Sequence, residues 1–220
     1  MCIIFPLFII QAHAGATWEY MNSITRGDSL EQMYESSNEY TRRYMLKLMP
    51  LWLEQRGEIS PPVWVEDAVA DALNYGKDGL FITEAIKLTR LYGLSEHYER
   101  LIELYRSAYT VHAVEADNIR SAVINAVTSF GGSIAEYAVP ELLMSGPHFY
   151  IAREYSLLMV AVAEYGDTTL VNEIEDAEFN ISGLAENIDE QVDPVRKNQY
   201  LQVLALVRNV KEAVAAKGGM

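Results

Sequence analysis

The chain has 220 residues, half of them apolar, with 31 Asp and Glu against 17 Lys and Arg and a formal net charge of -14. Such a composition excludes general disorder. The acidic balance argues against a nucleic-acid partner, whose phosphates need Lys and Arg, and against docking on anionic lipid. The length suits one domain with a sizeable core.

The N-terminus reads "MCIIFPLFIIQAHAGATWEY". An apolar run over 1–10 is followed by Ala12-His13-Ala14, the small-residue pattern that precedes a signal-peptidase cut. At roughly 20 residues needed, the run is too short to span a bilayer as a helix. Residues 1–14 are therefore expected to be a signal peptide, cut after Ala14, and the protein to be exported to a periplasm or secreted. Without cleavage the same residues would form a buried helix of a cytoplasmic protein. Cys2 is the only cysteine, so the mature chain would have no disulfide and no thiol chemistry. Arg26-Gly27-Asp28-Ser29 matches an integrin-binding tetrapeptide, and Gly27-Asp28-Ser29 also makes sense as a turn and helix cap.

Ser29 and Gln32 are spaced to open a helix through "LEQMYESSNEYTRRYMLKLMPLWLEQ", which Pro50 should kink. Tyr34, Tyr40 and Tyr44 lie near one another on it. Amphipathic aromatics line recognition surfaces and also fill gaps between helices. Ser60-Pro61 reads as a cap and first-turn proline.

Four places then read aromatic, Gly, any residue, capping residue: Tyr75-Gly76-Lys77-Asp78, Tyr92-Gly93-Leu94-Ser95, Phe130-Gly131-Gly132-Ser133 and Tyr165-Gly166-Asp167-Thr168. A glycine at positive φ ends a helix without a Cβ clash. The polar residue two positions later accepts from the N–H groups that open the next helix. The aromatic, last in its stripe, should pack into the helix pair. Gly131 and Gly166 are thus expected at positive φ, and Ser133 with Glu136 as a capping box. From Gly93 to Gly131 is 38 residues and from Gly131 to Gly166 is 35. Two helices per period of this length indicate an α-solenoid. Gly76 to Gly93 is 17, one helix rather than two.

On period, helix pairing and glycine-cap turns, residues 60–182 resemble HEAT and armadillo repeat proteins. The resemblance implies an all-α, α-α superhelix of antiparallel helix pairs in a single domain over 15–217. Capping helices occupy 15–59, repeats 60–190 and a C-terminal capping helix 193–217. Pro140 should kink or restart its helix.

Apolar stripes support helices over 117–130 (Ile119, Val123, Ala126, Phe130) and 148–165 (Ile151, Tyr155, Leu158, Val162, Tyr165). The second is expected to be central and buried on most sides. Asp193-Pro194 opens a last helix with Tyr200, Leu204, Val207 and Val214 on one face, Val203 and Val210 beside it, ending at Lys217-Gly218.

No Lys or Arg lies between Arg153 and Arg196, a stretch with eleven acids from Glu154 to Asp193. It reads as a solvated acidic face, or as a surface, including Glu173, Glu175, Asp176 and Glu178, that docks a basic partner or the chain's own basic last helix. No calcium-loop pattern occurs there. Asn180-Ile181-Ser182 fits a glycosylation sequon. His13, His97, His112 and His148 make no metal-ligand spacing. Serine-elbow, P-loop and dinucleotide motifs are absent. No catalytic residue, metal or cofactor is assigned.

The functional expectation is a non-enzymatic module that binds a protein or peptide, basic partners included, with no nucleic acid and no membrane span. Tyr34, Tyr40, Tyr44 and the four acids are its candidate surface. One alternative is a HEAT-like lyase or enzyme subunit holding a small ligand in a tyrosine-lined groove. Another is a structural subunit of an oligomer.

Overall fold

The computed structural model describes residues 19, 21, 27–58, 60–145 and 152–218. The expected signal peptide and its cut, Arg26, His13, His148 and Ile151 lie outside them. Among the described residues the protein is all-α, with ten α-helices and two short 3₁₀ turns. None of these helices is long and apolar enough to cross a membrane. The chain gathers into two compact units, Met1–Leu94 and Ser95–Met220.

The first unit holds α1 (Gly27–Ser36), α2 (Glu39–Arg56), α3 (Val63–Tyr75) and α4 (Gly79–Tyr92). The single helix expected over 30–55 is two. The Ser36 and Ser37 hydroxyls turn back onto Met33 O at 3.1 and 2.7 Å, and the Asn38 side chain accepts from Thr41 N at 3.0 Å. Ser and Asn satisfy helix-end groups more readily than they extend a helix. Ser29 lies inside α1 rather than ahead of it.

Pro50 does not end α2, which continues to Arg56. A mid-helix proline costs ~3 kcal/mol. Burial of Met45, Leu46, Met49, Trp52 and Leu53 on either side offsets it, since each large apolar side chain contributes ~1.5–3 kcal/mol. The helix stops where Gly57 turns left-handed at φ 68°. α3 begins after Pro62 with no side-chain cap, so Ser60 does not cap it. Asp78 does cap α4, accepting from Leu80 N at 2.9 Å. α4 packs on α2 and α3.

The second unit holds α5 (Tyr98–Val111), α6 (Ala116–Phe130), α7 (Gly132–Met144), α8 (Ala152–Tyr165), α9 (Val171–Asn187) and α10 (Pro194–Lys217). α8 touches α6, α7 and α10 and buries Tyr155, Leu158, Met159, Ala161 and Val162, so it is the central helix of this unit. α7 continues through Pro140. α10 buries Tyr200, Val203, Leu204, Val207, Val210 and Val214, the stripe its sequence shows, and Asp193 caps its start by accepting from Arg196 N at 3.0 Å.

The four glycine turns divide into two kinds. Gly93 and Gly131 sit at φ 67° and 64°. Gly76 and Gly166 end their helices without a positive φ, against the expectation for Gly166. Their constraint is space: an added Cβ would lie 2.5 Å from Ala72 O at Gly76 and 2.6 Å from Val162 O at Gly166. Two expected caps also differ. Ser95 opens a 3₁₀ turn ahead of α5, and Ser133 lies inside α7, which begins at Gly132 with no side-chain cap. Tyr75 is 75% exposed rather than packed into a helix pair.

Candidate functional site

In the second unit a groove of about 800 Å³ lies between the start of α8 and the first half of α10. The Asp193 cap and Pro194 fix where α10 begins, and thus which residues face α8. Arg196, Gln199, Tyr200 and Val203 follow at helical spacing and all line the groove. Leu206 extends its apolar side, and Ala152, Arg153 and Ser156 form the α8 wall. Tyr200 and Val203 are buried and Arg153, Arg196, Gln199 and Gln202 exposed. The groove therefore has an apolar floor and a polar, cationic rim. Ser156 is not poised as a nucleophile, because its hydroxyl donates to Ala152 O at 2.8 Å.

The two rim arginines are unusual in this acidic chain. In the second unit, Arg100, Arg106, Arg120, Lys197, Arg208 and Lys211 each meet a carboxylate. Lys217 donates to carbonyls of Ala163 and Gly166 at 3.0 and 2.8 Å. Among the described residues, Arg153 and Arg196 have no carboxylate within 4.0 Å. Asp193 is occupied by the α10 backbone.

The acids named from sequence are distributed differently. Glu178 accepts from Arg208 Nε at 2.8 Å and from Lys211 Nζ at 2.5 Å. Those two cations, Lys211 foremost, hold its carboxyl below the usual range. Glu175 lies 3.9 Å from Lys211. This part of α9 docks the chain's own basic helix. Glu173 is half-buried, whereas Glu175 and Asp176 are exposed, next to a Phe179 that is 79% exposed.

The three tyrosines do not share a helix: Tyr34 is on α1, Tyr40 and Tyr44 on α2. Tyr34 is buried beside Trp64, ring centroids 5.7 Å apart, with its hydroxyl 3.4 Å from Ala68 O. Burial pushes that phenol well above its ordinary pKa. Tyr44 is buried and Tyr40 exposed; their hydroxyls are 3.5 Å apart and the Arg43 guanidinium stands 4.9 Å from both ring centres. A cleft of about 220 Å³ runs beside Tyr34 between α1 and α3, edged by Glu31, Glu35, Asp67 and Asp71, with Arg42 on its wall.

One cluster escaped the sequence reading, which placed Glu154 on a solvated acidic face. Its side chain is fully buried, as is that of Arg120. Arg120 Nη2 and Nε lie 2.7 and 2.9 Å from Glu154 Oε1, and the Tyr105 hydroxyl donates to the same oxygen at 2.8 Å. The guanidinium also stacks 3.8 Å from the Tyr105 ring centre. Tyr109, one turn along α5, donates to Asp117 at 2.6 Å. Burial raises the Glu154 carboxyl above its ordinary value, with Arg120 and Tyr105 opposing. Burial and the Glu154 charge keep Tyr105 protonated. A signal did exist: Arg120 occupies a stripe position with Ala116, Val123, Ile124 and Val127, and Glu154 stands one turn before Leu158, beside Tyr155. Charges on apolar stripes foretell a buried pair. The cluster ties α5, α6 and α8 together.

No protein-family model, no curated protein and no solved structure matches this chain.

Proposed function

We propose that the chain is a non-enzymatic module that holds a protein or peptide segment in the groove between α8 and α10. The carrying observation is the groove itself: buried Tyr200 and Val203 form an apolar floor under exposed Arg153, Arg196, Gln199 and Gln202. A desolvated apolar centre with Tyr and Arg at its edge is the composition of protein-recognition surfaces. The groove is held by two packed helices, so a ligand need not order it.

The finer architectural reading is a helical repeat of the HEAT or armadillo kind. Its support is the pattern of neighbours: every closely packed helix pair is one or two α-helices apart in chain order, such as α5 with α6 and α7, or α8 with α7 and α10. Repeat arrays make such near-neighbour contacts.

The test is an unbiased peptide-display selection on the full chain. Peptides should enrich, and a Val203→Glu substitution in the floor should abolish their binding. Failure to enrich any peptide, or binding indifferent to Val203→Glu in a variant with native helical content, overturns the reading.

A basic partner is a second reading, favoured by the α1–α3 cleft, which is lined by four carboxylates and one arginine. Lys-rich and Arg-rich peptides binding there should lose affinity when Asp67 and Asp71 become Asn.

A further inference from the structure

We infer that the α8–α10 groove takes a segment of a partner protein in which carboxylates sit next to apolar side chains; this rests on the groove being a binding site. The argument is charge accounting. In the second unit the other Lys and Arg side chains each meet a carboxylate or, for Lys217, backbone carbonyls, so an arginine without a carboxylate is the exception there. Arg153 and Arg196 are two such arginines, they come from different helices, and both line the same groove.

Among the described residues, neither guanidinium meets a carboxylate within 4.0 Å. The Arg196 guanidinium stands 5.9 Å from the Tyr200 ring centre, and its side chain is exposed. A guanidinium presents five donors suited to a planar carboxylate. The same groove is lined by Tyr200, Val203 and Leu206, with Asp193 the carboxylate among its lining residues and engaged by Arg196 N; a simple inorganic anion would leave the apolar side chains uncovered. A peptide carrying both features satisfies both.

The same accounting excludes a long polyanion. A net charge of -14 repels a nucleic acid over the whole surface. It affects a short segment far less, because beyond roughly 8–10 Å the repulsion is screened at physiological salt. The binding should therefore be local and salt-sensitive.

The experiment uses the full chain and two fluorescein-labelled nine-residue peptide pools. In one, Asp and Glu alternate with Leu, Phe and Val; in the other, Asn and Gln replace the acids. Anisotropy at low salt should show the acidic pool binding at least tenfold tighter, an advantage that shrinks on raising the salt. The double variant Arg153→Gln, Arg196→Gln should bring the two pools to within twofold. Both positions are exposed, so the variant should keep the wild-type circular dichroism.

Equal binding of the pools, no binding by the acidic pool, or an advantage that survives the double variant each overturns the inference. If the pools bind equally and Val203→Glu abolishes both, the peptide-binding reading stands while this inference falls. Sedimentation of the chain alone covers the remaining occupant. Self-association lost in the double variant would place a second copy in the groove and overturn the partner assignment.

Discussion

Arg120 and Glu154, 34 residues apart in sequence, form an ion pair at 2.7 Å with neither side chain exposed to solvent. The pair joins α6 to α8, and Tyr105 adds α5 by donating to the same carboxylate oxygen. Removing one partner strands the other. Arg120→Ala should destabilise the second unit by ~3–5 kcal/mol, while Arg120→Met with Glu154→Leu should recover most of the loss. Urea unfolding followed by far-UV circular dichroism measures this, because the described tryptophans, Trp52 and Trp64, lie in the first unit. A double variant as unstable as the single would show that geometry, not stranded charge, sets the cost.

Glu178 sets an acid limit on the α9–α10 junction. Its carboxyl is held below its ordinary value of 4.5 by Lys211 and Arg208. A depressed folded pKa means that the stabilisation is complete above the unfolded value and lost as pH falls through the folded one. The difference in melting temperature between the wild type and Glu178→Gln should thus be constant above about pH 5 and vanish below the lowered pKa. A constant difference down to pH 2 would contradict this.

The two kinds of glycine turn should respond differently to alanine. At Gly93 the added Cβ meets open space but a φ of 67°, a strain of ~1–2 kcal/mol. At Gly166 it would meet Val162 O at 2.6 Å and Leu170 Cδ1 at 3.2 Å, so the turn before α9 must shift. Gly166→Ala should therefore lose more stability than Gly93→Ala. Thermal melts of the two variants rank them, and the reverse order refutes the steric account.

Asp193 links a local cap to the groove. Asp193→Ala should cost ~1 kcal/mol, fray the first turn of α10 and loosen the Arg196 position. Peptides selected on the wild type should bind Asp193→Ala more weakly and Asp193→Asn about equally, because Asn caps as well as Asp. Equal binding to all three would detach the cap from the groove.

The sequence by itself determined what depends on near neighbours. The apolar stripe of α10, its start at Asp193-Pro194, the cap at Asp78 and the left-handed ends at Gly93 and Gly131 all follow from spacing within one or two turns. Local chemistry also broke α1 from α2 at Ser37-Asn38, though the long apolar pattern masked it. Tertiary structure decided everything that depends on what lies across a helix. It turned Tyr34 and Tyr44 inward, spent Glu178 on Arg208 and Lys211, and buried Glu154 against Arg120. It also left Arg153 and Arg196 lining one groove, with no carboxylate within 4.0 Å of either among the described residues. Helical periodicity records which face a residue occupies. Whether that face meets a partner helix, an opposite charge or water is settled only when distant segments pack, and the groove is made by that packing.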